Sequence, residues 1–350
     1  MGVWYATRED VKAALDFKET ARASGRIDRA LESASRAVEG LCHRRFYPQV
    51  ATRHWDWPGG QYARPWRLWL DDSELITVTA LSSGGTVIAA ADYFLEPNRS
   101  GPPYNRVEID LSSSAAFGGG STHQRDITVT GLWGYSNDES PAGDVDEAMS
   151  VSETDLDVTT SAAIGVGSVL RVGSERLIVT GKAMKDTGVN IDVGDSLAAS
   201  AADVSVTMST TTGAPAVDEV ILIDSERMLV VDVAGTVLTV KRAWDGSVLA
   251  THAAGADIYA PRTLTVTRGA LGTTAATMSA GDDIWRWDPP GPVRELCIAE
   301  ALTAVLQGQS GYARVVGSGE AQREAYGRGL ADLRESVYIS HGRKARTRAV

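Results

Sequence analysis

The sequence predicts an α+β protein: a helical bundle formed from both chain termini, with a small antiparallel β domain and an inserted all-β module. Three observations carry this reading. Apolar residues recur at helical spacing near both ends, strand-like alternation fills 51–136, and a central segment repeats itself while holding the whole negative excess. The 350 residues are 43% hydrophobic and 23% charged. Those ordinary proportions fit two or three domains and argue against a fibrous or disordered chain.

The first helix follows Thr7, an N-cap residue with Glu9 and Asp10 in the turn after it, where the helix dipole favours acids. Val11, Ala14, Leu15 and Lys18 continue it, and it fades by Ser24 and Gly25. A second helix is marked by Ile27, Ala30, Leu31, Ala34, Val38 and Leu41 on one face. It ends near His43, before Arg44, Arg45, Phe46, Tyr47 and the breaker Pro48. The period then becomes two, in Trp55-Asp56-Trp57, Trp66 to Leu70, Ile76 to Ala80 and Ile127 to Gly131, with Gly- and Pro-rich turns between.

Residues 138–260 hold 20 acidic and 7 basic side chains, against a formal charge of −11 for the whole chain. The same region repeats. Residues 238–258 align on 264–284 without gaps at 11 of 21 identical positions, and Ser174-Glu175-Arg176 is echoed by Ser225-Glu226-Arg227. A strand–turn–strand unit in few copies implies hairpins sharing a sheet or barrel rather than a solenoid. After Pro289-Pro290-Gly291-Pro292, the residues Val293, Leu296, Cys297, Ala301, Leu302, Val305 and Leu306 mark another helix. A Gly-rich link from Gly308 to Gly319 then leads to a last helix over about 320–338 and a basic tail. The expected division is 1–50 and 288–350 helical, 51–137 a small β domain, and 138–287 the acidic insert.

Catalytic patterns are sparse. The chain has no Walker loop, no HExxH and no nucleophile elbow. Gly317-Ser318-Gly319 reads as a hinge between helices rather than a nucleotide loop. His252 occupies a repeat position held by Met278 in the other copy, which discounts a ligand role. His43, beside Arg44 and Arg45, reads as part of an interface or cap. Acidic pairs such as Asp144/Asp146, Asp155/Asp157 and Asp192/Asp195 lack the calcium-loop pattern and read as solvated surface. Trp55, Trp57, Trp66 and Trp69 alternate as core or interface residues, with sugar or base stacking as the other use. Cys42 and Cys297 read as buried thiols. No cofactor and no metal is expected. With no apolar run of ~18 residues and no secretory leader pattern, the sequence reads as a soluble protein made and kept in a cytoplasm.

The run Ile27 to Glu39 followed by Cys42-His43-Arg44-Arg45-Phe46-Tyr47-Pro48 resembles head–tail connector (adaptor) proteins of long-tailed double-stranded DNA bacteriophages. There a helix of the form "ID-x-A-x-x-x-A-S" leads into a "C-x-R-x-F-Y-P" turn. Leu68-Trp69-Leu70, Asp92 to Asn98, Ile127 to Tyr135 and the closing helix, hinge and Arg-rich tail fit in the same order. The resemblance covers 7–136 and 288–350, and the module at 138–287 departs from it.

The resemblance implies a structural virion protein at the neck, not an enzyme. Such proteins form a ring, generally of twelve copies, below the portal protein; they extend the DNA channel and present a surface to the stopper or next neck protein. A closed ring needs a head-to-tail interface, for which His43, Arg44, Arg45, Trp55 and Trp57 are the candidates. The carboxy-terminal segment implies portal binding through Arg343, Lys344, Arg346 and Arg348. The acidic charge fits passing double-stranded DNA without sequence-specific binding, since contact strength scales with phosphates neutralised. No membrane partner is expected. The alternatives are a β-rich carbohydrate- or receptor-binding phage protein, and a hydrolase with His54 or His123 at its site.

Overall fold

The computed structural model describes residues 2–15, 21–59, 64–309, 315–316, 323–324 and 328–343. Among these, the α-helices are α1 (Arg8–Leu15), α2 (Ala21–Cys42), α3 (Gly291–Gln309) and α4 (Arg328–His341). The start of α1 is a reciprocal capping box. The Asp10 N–H donates to Thr7 Oγ1 at 3.1 Å, and the Thr7 N–H donates back to the Asp10 carboxylate at 2.8 Å. Ile27, Leu31, Ala34 and Val38 of α2 are buried, as are Val293, Leu296, Cys297 and Ala301 of α3. The two stripes meet where Ser35 Oγ lies 3.4 Å from Cys297 Sγ. The last helix begins later than expected, at Arg328, and Val315–Val316 pairs with Arg323–Glu324 as a short ribbon. Gly317-Ser318-Gly319 lies outside the described residues.

The helical bundle expected from the two termini is corrected by this architecture. The helices are 8, 22, 19 and 14 residues long in a chain that is mostly β-sheet. An apolar stripe specifies a buried face but not its cover. Here part of the cover is not helical: Tyr5, which precedes α1, donates its N–H to Ser35 Oγ of α2 at 3.2 Å and packs edge-on against Trp287 of the last strand of the insert, with ring centroids 6.1 Å apart. In α1 the Arg8 N–H and the Glu9 carboxylate bond an insert loop, described below, while the Arg8 and Asp10 side chains pair with Asp28 of α2 and Arg294 of α3. The helices pack on one another, α3 against α1, α2 and α4, but they are the smaller part of a chain that is mostly β-sheet.

The chain divides into two compact units, one of 2–42 with 139–270 and 274–342, the other of 43–138 with 271–273 and Arg343. In the second unit β1 (Gln49–Trp55), β2 (Arg67–Trp69), β3 (Leu75–Ser83), β4 (Thr86–Ile88), β5 (Tyr93–Glu96), β6 (Arg106–Ile109) and β7 (Ile127–Trp133) form two antiparallel sheets, ordered β1-β7-β3-β4 and β2-β6-β5. Alternation puts Ile127, Val129 and Trp133 on one face of β7, where they join Leu68, Leu70, Leu75, Leu81 and Val107 in the core.

The first unit contains a ten-stranded antiparallel sheet made from β8 (Glu139–Asp144), β9 (Asp155–Asp157), β10 (Val169–Val172), β11 (Glu175–Asn190), β12 (Ser205–Thr207), β13 (Val220–Ile223), β14 (Glu226–Ala234), β15 (Val237–Lys241), β16 (Asp257–Thr267) and β17 (Asp283–Trp287). The long strands β11 and β16 pair along their length with three register shifts, which bend them between two lobes. One lobe is cored by Leu156, Leu170, Leu177, Val179, Leu264 and Ile284. The other is cored by Ile191, Val206, Ile221, Met228, Leu238 and Ile258.

The repeats seen in the sequence are two copies of one buried clasp. In the first lobe Glu175 accepts Nε and Nη2 of Arg268 at 2.8 Å each, and the backbone N–H groups of Gly269 and Ala276. The remaining donors of Arg268 reach the carbonyls of Ser150, Glu153 and Ala276. In the second lobe Glu226 accepts Arg242 Nε and Nη2 at 2.8 Å each, with Ala243 and Ala250 N–H. Arg242 then reaches the carbonyls of Ala198, Asp203 and Ala250. All five guanidinium donors are used in both copies. Burial alone would raise the Glu226 carboxyl, but the hydrogen bonds from Arg242, His252, Ala250 and Ala243 outweigh it and hold the group at about 2.

Removing one partner of such a pair leaves a buried, unmatched charge. Arg242→Met is therefore expected to lower the unfolding free energy by about 3–5 kcal/mol in denaturant titration; a loss below about 1 kcal/mol would reduce the clasp to the value of a surface pair. Glu226 is depressed in the folded state, so its contribution is complete above the ordinary value of 4.5 and is lost as the pH falls towards about 2. Acid titration followed by circular dichroism should show the module loosening across that window.

Candidate functional site

The residues expected at an interface all belong to the second unit, together with Arg343. His43 is exposed and sits at φ 53°, where the chain turns out of α2. Arg44 is half-buried: its guanidinium lies 4.8 Å from the Tyr135 ring centroid and 3.4 Å from the Glu74 carboxylate. Arg45 is exposed. Trp55 packs against Trp133 with centroids 5.7 Å apart, and Trp57 is buried against Phe117 at 5.4 Å, so both rings serve this unit's own core. Arg343 donates to the Asp72 carboxylate at 2.9 Å and to the Asp72 carbonyl at 2.7 Å, and lies 3.6 Å from Glu74. Glu74 thus gathers Arg44 and Arg343, two residues 299 positions apart that the sequence reading assigned to separate surfaces. Lys344, Arg346 and Arg348 lie outside the described residues.

The histidines proposed for hydrolysis are dispersed. His54 Nδ1 lies 3.0 Å from Thr128 Oγ1 on an exposed sheet face, and His123 is exposed with its carbonyl accepting the Trp57 N–H. His252 is buried, with Nδ1 2.7 Å from Asp224 and Nε2 3.0 Å from Glu226, and so belongs to the second clasp. Cys297 is pushed up to about 11 by burial, which leaves an inert thiol.

The first unit contains an open cavity of about 1160 Å³ that the sequence reading did not anticipate. Its inner wall is the loop 161–168, on which α1 is seated. The Arg8 N–H donates to the Val166 carbonyl at 3.0 Å, and the Val166 N–H donates to Glu9 Oε2 at 2.7 Å. This approach needs bare backbone on both sides of Val166. A Cβ on Gly165 would lie 2.5 Å from Glu9 Oε2, and one on Gly167, at φ 101°, would lie 2.4 Å from the Trp4 ring. The same loop receives Lys182, whose Nζ donates to the carbonyls of Ile164 at 2.7 Å and Ser161 at 3.3 Å. Burial raises the Glu9 carboxyl, against the pull of Lys182, and burial lowers the Lys182 ammonium, against Glu9 and Glu219.

The outer wall comes from the turn after β15. Trp244 is half-buried, with the Lys241 ammonium 4.4 Å from its ring centroid. Asp245 accepts from Arg227 at 2.5 Å and lies 3.9 Å from Lys12 Nζ of α1. Ala243 and Asp245 both adopt left-handed conformations, which turns the chain tightly enough to present the two side chains. The repeat alignment contained the signal for this wall: Trp244-Asp245 stands opposite Ala270-Leu271, so these side chains are not needed to build the clasp the copies share. Glu9 and Lys182 carried no such signal, because only the fold brings them together.

The chain matches no family model, no curated protein and no solved structure. Among the described residues no group of three or more His, Cys, Asp or Glu side chains is arranged to hold a metal ion.

Glu9 is raised in the folded state, so its favourable contribution is complete below the ordinary carboxylate value and is lost as the pH rises through the raised one. Glu9→Gln keeps a carbonyl oxygen for the Val166 N–H and removes the buried charge. This variant is expected to match or exceed the parent in thermal stability at neutral pH, with the difference vanishing in mild acid. A marked destabilisation at neutral pH would mean that the ionised carboxylate, not its shape, seats α1.

Proposed function

We propose that the protein is a structural component of the bacteriophage neck: a ring-forming head-to-tail adaptor that docks on the portal, extends the DNA channel and offers an attachment surface to the stopper. The reading rests on the order of the motifs over 27–48, 68–70, 92–98 and 127–135, with an Arg-rich carboxy-terminal segment after them. The observation that carries it furthest is the meeting of Arg44 and Arg343 on Glu74. The "C-x-R-x-F-Y-P" turn and the root of the basic tail, distant in sequence, are tied to one carboxylate in one compact unit. That gives the tail a fixed origin at Arg343, and we assign partner contact to Lys344, Arg346 and Arg348, which follow it in the sequence.

The charge distribution supports passage of DNA without capture. The segment 138–260 has only 7 basic side chains against 20 acidic ones, and Arg176 and Arg242 among the seven are buried in ion pairs. A surface of that balance repels phosphate rather than neutralising it.

The test is co-sedimentation of the purified chain with portal rings encoded by the same genome, at two ionic strengths. Replacing Lys344, Arg346 and Arg348 together by Gln is expected to weaken docking strongly and to reduce its salt dependence. A change below about 1 kcal/mol, the value of an exposed ion pair, would remove the tail from the docking surface.

A further inference from the structure

We propose that the cavity between α1 and the β module is a binding site for a neutral saccharide, a second function independent of the adaptor reading. Three observations lead there. The cavity, at about 1160 Å³, exceeds the usual size of small-ligand sites and is bounded by α1 with the loop beneath it and by the turn after β15. Its described lining includes six acidic and eight basic side chains. One wall presents Trp244, a half-buried indole on a tight turn that the duplicate lobe replaces by Ala270.

The nearly balanced lining decides the ligand class. An anionic ligand would meet carboxylates almost as often as cations, and a cationic ligand the reverse. A neutral molecule dense in hydroxyls meets no such conflict, because each hydroxyl both donates and accepts. It donates to Asp245 and Glu9 while accepting from Arg227, Lys241 and Lys182. Most of these charges are already held in place. Asp245 is gripped by Arg227 at 2.5 Å, Lys182 by two carbonyls, and Glu9 by the Val166 N–H. Such fixed groups can bond a pair of adjacent hydroxyls without first being ordered. Trp244 supplies the apolar plane on which the C–H face of a sugar ring rests, with the Lys241 ammonium fixing one side of the indole. Of the four tryptophans that the sequence offered for stacking, Trp55, Trp57 and Trp66 pack with the core of the other unit, and Trp69 lies under Arg67 and Arg106.

The experiment titrates the purified full chain with short neutral oligosaccharides built from glucose, galactose, mannose and rhamnose, and in parallel with inorganic phosphate and an acidic peptide. Binding is read by saturation-transfer NMR and by hydrogen exchange of 241–246 in the unmodified chain. At least one neutral oligosaccharide is expected to bind and to protect that turn. Trp244→Ala and Asp245→Ala should each weaken it by about tenfold or more, while Trp244→Tyr, which keeps an aromatic face, should largely restore it. The exchange measurement on the parent chain keeps the test decisive if a variant fails to fold. The proposal is overturned if no neutral saccharide protects the turn, if binding survives both alanine substitutions, or if phosphate or the acidic peptide binds there in place of sugars. None of these outcomes bears on portal docking, which is read separately.

Discussion

The β module depends on carboxylates buried against arginines. Glu175, Glu219 and Glu226 lie in the interior, each clamped by one guanidinium from a strand of the same sheet or the turn after it. Glu219 accepts Nε and Nη2 of Arg262, and also the N–H groups of Ser161 and Ala216, which ties a loop of each lobe to one residue. A desolvated ion pair contributes little net stability, since the cost of stripping water offsets most of the attraction. What it does impose is geometry. Each arginine has five donors that must be matched, and the carbonyls that match them fix loops with no strand ladder of their own. The lobes are alike because they solve the same desolvation problem with the same two residues.

That constraint explains what the sequence disclosed and what it withheld. The repeated Ser-Glu-Arg and Leu-Thr-Val-x-Arg phrases were visible as identities, and the paired hairpins followed from them. The chemistry of those phrases was not visible, because a Glu and an Arg 16 or 93 positions apart carry no local mark of being partners. The Met278 at the matching repeat position argues against a ligand role for His252; the fold places His252 in the second clasp, between Asp224 and Glu226. The helices were legible from Ile27, Leu31, Ala34 and Val38 and from Val293, Leu296 and Ala301. What the stripes did not disclose is that part of their cover is not helical: Tyr5, which precedes α1, donates its N–H to Ser35 of α2 and packs in turn against Trp287 of a strand. Periodicity reports that a face is buried; it is silent about the partner.

The two regions of functional interest follow from opposite features of the sequence. The Arg44–Glu74–Arg343 cluster joins motifs that were recognisable separately and whose proximity only the fold supplies. The cavity under α1 arises from residues with no motif, where a capped eight-residue helix lays an acid on a loop and a lysine answers from β11. Its outer wall comes from a departure between repeats. In a duplicated module, shared residues report the scaffold and divergent ones report what each copy has been adapted to do.

The adaptor role is the claim on which the functional account turns, and electron microscopy of the purified chain mixed with portal rings from the same genome tests it most directly. The account predicts a second ring stacked coaxially on the portal. Bare portal rings at saturating concentrations of the chain would contradict it.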